Sequence, residues 1–169
     1  MKSNIYLKDL ESNFKIILIL FLSVLSIGIF TGLTYVYLTT TMTPSGTIEQ
    51  FNGPDNTYEY DYLDNTPLET TKYANDLLLT THNHLITFSM ISLFICIIFY
   101  FNSIITGKFK LFLIFEPFIS TILTFASLWL MRYLNDSFVY IMIFSAILMY
   151  ICWYLMIFIS IYELAKKNN

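Results

Sequence analysis

A chain of 169 residues that is 56% hydrophobic and only 12% charged, with a mean hydropathy of +0.63, lies far from the composition of a water-soluble domain. Its charges sit outside four long apolar runs; a soluble core of this size has no use for uninterrupted apolar stretches of about 20 residues, whereas a bilayer demands them. That excludes a soluble enzyme and puts no nucleic acid among the expected partners; the expected fold class is all-α, a polytopic protein with four transmembrane helices forming a single membrane domain over residues 1–169.

The first span is expected over residues 16–38, after Lys2, Lys8 and Lys15. A signal peptide also begins with positive charge and an apolar core. This run is too long for one, however, and no small-x-small cleavage site follows, so a retained helix is expected. Gly28 and Gly32 form a GxxxG pair within it, with Ser23 and Ser26 one turn earlier. Small residues let helix backbones approach closely, and the pair suits packing within the bundle and dimerisation equally.

The connection over residues 39–82 is rich in Thr, Asn and Tyr and contains Pro44, Pro54 and Pro67. It carries Glu49, Asp55, Glu59, Asp61, Asp64, Glu69 and Asp76 against Lys72 alone. It is too polar to re-enter the bilayer and too long for a turn. Its acidic and aromatic mix suits a contact surface or a solvated loop, and the stretch "TTKYANDLLL" has helical character leading into the second span.

The second span is expected over residues 84–102, opening at "TTHNHL" with His82 and His84. On a helix, residues two apart point about 200° away from each other and cannot share one metal or one haem face. In an extended helix mouth, His-x-His would put both rings on one side, as some copper sites require. A bis-histidine haem b needs histidines on facing helices, and no other span has one; a pairing of His84 with Met131 is left open. His82 and His84 are thus the candidate metal ligands. The plainer reading has Thr80 or Thr81 capping the helix while the histidines sit at the interface. A third reading groups His82 and His84 with Arg132 and Asp136, as a polar cluster that orders the connection and presents it to a partner.

The third span, residues 111–132, contains Glu116, and an ionisable group inside a span is functional by default because burying it is costly. Ser120, Thr124 and Ser127 continue its face at helical spacing, so that face is expected to turn inward. Proton conduction would need a second acid or a histidine to continue the relay, and none follows. Alternatively Pro117 begins the helix and leaves Glu116 at the interface. Trp129 and Tyr133 fit an interfacial aromatic belt. The fourth span is expected over residues 138–162. Cys96 and Cys152 fall within spans and read as small buried hydrophobes rather than a disulfide.

Basic residues set the orientation. Lys2, Lys8 and Lys15, then Lys108 and Lys110, then Lys166 and Lys167 all fall on one side of a four-span topology. The acidic connection and the short turn with Arg132 and Asp136 fall on the other. The positive-inside rule makes this N-in and C-in, with a long acidic periplasmic loop between helices 1 and 2. No phosphate loop, HExxH, CxxC or GxSxG occurs, so no enzymatic activity is expected.

The segments "TGL.Y.YLTTTMTPSGTIEQFNG", "LLLTTHNHL" and "K..LIFEPFISTILTFASLWLMRY" together resemble a group of small four-span bacterial inner-membrane proteins. That group resembles the membrane accessory protein encoded beside Sec-exported nitrous oxide reductases. The similarity covers most of residues 28 to 133, at Gly32, Gly46, Gly53, His82, His84, Trp129 and Arg132. It implies a non-catalytic partner of a periplasmic copper enzyme, acting in electron delivery, anchoring or maturation. "QFNG" replaces a more basic "HYRG"-like segment, and the missing histidine and arginine weaken metal binding by the loop. The expected function is therefore an accessory or assembly subunit supporting a periplasmic respiratory redox enzyme, without a cofactor of its own and open to oligomerisation. The alternatives are a small electron-transfer protein carrying haem b or copper, and a small transporter or proton channel built on Glu116.

Overall fold

The structure, a computed structural model, describes residues 6–52 and 68–166. A short 3-10 turn, Leu7–Asp9, precedes five helices: α1 (Ser12–Thr40), α2 (Pro44–Asn52), α3 (Leu68–Tyr100), α4 (Gly107–Tyr133) and α5 (Phe138–Ala165). Of these, α1, α3, α4 and α5 are each long and apolar enough to cross a membrane. In hydrocarbon every backbone N–H and C=O must be satisfied within the segment, which is why these apolar runs take up helix. Two stretches of the connection expected over residues 39–82 are helical as well. One is α2; the other is the start of α3, whose 33 residues span about 50 Å and so exceed about 30 Å of hydrocarbon. Gly53, Asp55, Glu59, Asp61 and Asp64 lie outside the described residues.

Helix α5 is the centre of the bundle. Its buried face, Met149, Cys152, Trp153, Met156, Ile157 and Leu164, packs against Ile95, Cys96 and Phe99 of α3, Leu113 of α4, and Leu22 and Ile29 of α1. Three polar contacts inside the bundle run across helices. The Trp153 indole N–H donates to the Ser92 hydroxyl at 3.0 Å, the Cys96 thiol donates to the Ile114 carbonyl at 3.3 Å, and Thr124 and Ser145 hydroxyls meet at 2.8 Å. Both cysteines are free and buried.

Helix α1 is peripheral. Only 11% of its apolar window is buried inside the bundle, against 50% for α4, so α1 leaves most of its surface for lipid. It turns Leu22 and Ile29 inward, and the Ser26 carbonyl accepts from the Tyr154 hydroxyl at 3.3 Å. That rotation leaves Gly28 and Gly32 beside the inward face rather than on it, both exposed, and a Cβ built at either meets nothing within 4 Å. The pair therefore packs against no described part of the chain, and only the dimerisation reading of the motif keeps a surface to act on.

The turn from α1 to α2 explains the threonine-rich sequence. Thr41 and Met42 both have left-handed backbone, at φ 50° and 53°, a conformation costly for a β-branched residue. Local hydrogen bonds hold it: Thr41 N–H to the Tyr37 carbonyl at 3.0 Å, Thr41 hydroxyl to the Thr40 carbonyl at 2.7 Å, and Met42 N–H to the Thr40 hydroxyl at 3.2 Å. Thr43 then caps α2, its hydroxyl accepting from the Gly46 N–H at 3.1 Å, with Pro44 as the first helical residue. A Cβ at Gly46 would lie 2.2 Å from the Thr40 carbonyl oxygen, so the two backbones cross where only glycine fits. Gly46→Ala should displace α2 from the bundle and lower stability by about 1–3 kcal/mol, measured by denaturant titration in detergent; unchanged stability would show that the crossing yields freely.

Helix α4 starts at Gly107, whose φ of +72° suits glycine, and Pro117 lies in its interior rather than at its start. The helix thus begins almost three turns before the proline, and the reading that left Glu116 at a helix mouth is corrected. Glu116 is inside α4 and only 5% exposed.

Candidate functional site

Polar chemistry gathers at three levels of the bundle. The first is the end that carries α2 and the turn between α4 and α5. Helix α2 ends with carbonyls that have no partner within the helix. The Arg132 guanidinium, in the last turn of α4, donates to one of them, the Phe51 carbonyl, at 2.5 Å. A cation at that position also favours the negative ends of both helix dipoles. Beside it the Asn52 amide donates to Asp136 at 3.0 Å. Trp129 stacks on Tyr133, with centroids 5.6 Å apart, and its indole N–H donates to the Thr81 hydroxyl at 3.0 Å, fastening α4 to α3. Beneath these bonds Ile48 and Phe51 cover a buried patch of Leu77, Phe125, Leu128, Met131, Val139 and Met142. The acidic segment therefore leaves α2 at Asn52 from a fixed point.

The two histidines do not join that arrangement. Helix α3 runs unbroken through residues 80–84, so neither Thr80 nor Thr81 caps it and the two rings diverge. His84 sits 2.8 Å from the Thr80 carbonyl through Nδ1, which must donate because a carbonyl only accepts. Its ring packs on Phe88 and Phe125, with centroids at 5.3 and 5.8 Å. His82 is exposed. Met131, the companion considered for His84, is 1% exposed within the apolar patch. Among the described residues, no three His, Cys, Asp or Glu side chains are grouped to hold a metal ion. The expected cluster thus divides: Arg132 and Asp136 meet Phe51 and Asn52, while the histidines lie apart on α3.

The second level is the buried face of α4. Glu116, Ser120, Thr124 and Ser127 are all buried, as their spacing predicts. Ser120 donates a short hydrogen bond to Glu116 Oε1, Thr124 meets Ser145 of α5, and the Thr121 hydroxyl donates to the Pro117 carbonyl at 2.7 Å. Glu116 Oε2 is buried without a hydrogen-bond partner, and the Cys152 thiol faces the same carboxyl from α5.

The third level, at the opposite end of the bundle, is one that sequence reasoning missed. Glu163, near the end of α5, is 1% exposed. It accepts a short bond from the Asn102 amide, Oε2 accepts the Ser103 N–H at 2.8 Å, and Oε1 accepts the Ser103 hydroxyl at 2.7 Å. The Asn102 Oδ1 in turn accepts the N–H groups of Ile104 and Ile105, at 2.9 and 2.8 Å. The Lys110 ammonium donates to the Tyr100 and Asn102 carbonyls, each at 2.7 Å, and so closes the end of α3. The N-terminal segment docks on the same turn, Leu7 N–H donating to the Phe101 carbonyl at 3.0 Å. A lone acid among the last residues of an apolar run, opposite an Asn-Ser pair just after another, was the available signal.

Residues 41–169 match the model of a family described as a transmembrane helical domain. No curated protein and no solved structure matches the chain.

Proposed function

This chain belongs to that transmembrane helical domain family and is a multi-pass integral membrane protein in contact with the lipid bilayer, and from that premise we propose that it is a non-catalytic accessory or assembly subunit for a periplasmic respiratory redox enzyme. The observation that supports this most is the clasp at the α2 end. Arg132 and Asp136 hold Phe51 and Asn52, so the acidic connection starts from an anchored position and is offered to a partner on that side. Helix α2 is held in place by these bonds, and an element already held loses less freedom on binding, which favours a docking role. Lys8, Lys15, Lys108, Lys110 and Lys166 lie toward the other end, against Lys72 in the first turns of α3, and by the positive-inside rule this balance supports an α2 end that faces the periplasm.

The resemblance to the accessory proteins encoded beside nitrous oxide reductases makes that copper enzyme the partner of choice. The divergent histidines argue against a haem or copper centre of its own. On α4 the Ser120 hydroxyl donates to Glu116, Thr121 to the Pro117 carbonyl, and Thr124 meets Ser145 of α5, a set of separate pairs rather than a continuous chain, which does not favour a proton path. Cells lacking the protein should lose nitrous oxide reduction while still exporting the reductase, measured as gas consumption and by immunoblot. Undiminished consumption would contradict the proposal, and a Soret band in the purified protein, lost on His84→Ala, would favour the electron-transfer alternative.

A further inference from the structure

Sulfur collects on the inner face of α5. Met142, Met149, Cys152 and Met156 recur at helical spacing on one side of the helix, and all four are buried. Such side chains fill core gaps readily, and packing alone explains Met156. Three sulfurs, however, converge on one stretch of α4. The Thr121 hydroxyl donates to Met149 Sδ at 3.3 Å, the Cys96 thiol of α3 donates to the Ile114 carbonyl at 3.3 Å, and the Cys152 thiol faces Glu116. Glu116 is 5% exposed, and its Oε2 has no hydrogen-bond partner. A buried acceptor in that state is costly, and a ligand that engages it gains that free energy.

We infer that Cys152, Met149 and Glu116 form an intramembrane site for a soft monovalent metal ion of the Cu(I) class, with the Cys96 thiol behind them. Cys152 and Met149 are three apart on α5, so their side chains are neighbours, and both sulfurs point at α4. Three properties select the ion. Thiolate and thioether sulfur favour Cu(I), whereas Zn²⁺ draws on thiolate, imidazole and carboxylate. Among the described residues no three His, Cys, Asp or Glu side chains are grouped to complete a tetrahedral set, and two such groups with one thioether suit an ion that takes two or three ligands. Charge is the third property. The Cys152 S–H bond gives way to S–Cu and the proton leaves to water, so the net charge in hydrocarbon is the same with and without the ion. A divalent ion needs both Cys152 and Glu116 ionised for a neutral site, and buried charge is costly. Met131 and Met142, in the apolar patch beneath α2, put thioethers between the site and that end of the bundle. No histidine takes part, so the site is separate from the haem or copper centre that the diverging histidines argue against. It is also independent of the periplasmic partner, and either can fail alone.

Competition at equilibrium tests the site. Full-length protein in dodecylmaltoside is given Cu(I) under argon with bathocuproine disulfonate as the competing chelator, and metal per chain is read by mass spectrometry after desalting. The wild type should retain about one Cu(I) per chain, with sulfur dominating its first shell by X-ray absorption. Cys152→Ala should lower the affinity at least about 100-fold, and Glu116→Gln and the volume-conserving Met149→Leu about tenfold each, the scale on which metal sites respond to single side chains. Met90→Leu, at a lipid-facing methionine of α3, and the paired His82→Ala and His84→Ala replacements should leave it unchanged. Helicity of each variant is checked by circular dichroism. Absence of retained Cu(I) in the folded wild type, wild-type retention in Cys152→Ala or Met149→Leu, or loss in the histidine variant overturns the site. Zn²⁺ held as tightly as Cu(I) overturns its assignment to a soft monovalent ion.

Discussion

Glu163→Leu is expected to cost about 3–5 kcal/mol of stability, the largest loss of any single replacement considered for this chain. Leucine has similar bulk, so the cavity contribution is small and the loss is electrostatic. It strands the Ser103 N–H, the Ser103 hydroxyl and the Asn102 amide, all of which converge on this one carboxylate in a nearly water-free place. Asn102 then loses its hold, and with it the N–H groups of Ile104 and Ile105 that define the start of the turn into α4. Lys110, pinned to carbonyls of the same turn and attracted by Glu163, loses its counter-charge. Glu163→Gln should fall between wild type and leucine, because one amide oxygen still accepts while its NH₂ confronts other donors. Denaturant titration in detergent, followed by circular dichroism, measures the order. Equal stability of wild type and Glu163→Leu would show that the turn is held by packing alone.

The second large effect is expected at Arg132, and it should be functional more than structural. Arg132→Ala removes the donor to the Phe51 carbonyl and the cation at the end of two helix dipoles. The four long helices share a core centred on α5 that does not include Arg132, so the bundle should survive. What should fail is the seat of α2. Its neighbouring bond, Asn52 to Asp136, is a single exposed contact and is worth about 1 kcal/mol or less. Limited proteolysis should therefore cleave the α2 segment at least about tenfold faster in Arg132→Ala, while Arg132→Lys, a point charge without the planar fork, recovers only part of the protection. An unaltered cleavage rate would mean that the apolar patch beneath α2 holds it without the arginine.

These two sites differ in how readable they were. Arg132 and Asp136 stood out as the charged pair in a short turn between apolar runs, and the structure uses both. Their partners did not stand out, because a carbonyl contributed by Phe51 and an amide from Asn52 carry no charge signal and lie in a helix too short to show a period. The four long helices were legible because bilayer thickness forces them. Glu116, Ser120, Thr124 and Ser127 were legible because their helical spacing and cost of burial point the same way. Helix rotation was not. Gly28 and Gly32 look like a packing face in sequence, yet the burial of Leu22 and Ile29 turns them outward. Nor could spacing decide whether residues 80–84 begin a helix or continue one, and that choice separates His82 and His84 from the polar clasp. Glu163 escaped notice because its value depends on two residues some 60 positions away, and a single sequence does not display such a pairing.

The clasp at the α2 end is proposed to position the acidic segment for a periplasmic partner. Site-specific photo-cross-linking from position Glu59 in intact cells, with wild-type Arg132 and with Arg132→Ala at equal membrane levels, tests it most directly. A defined adduct with a periplasmic respiratory enzyme is expected in the wild-type background, and its loss, by about tenfold or more, when the clasp is broken. An adduct of equal yield in both backgrounds, or adducts with cytoplasmic proteins only, would contradict it.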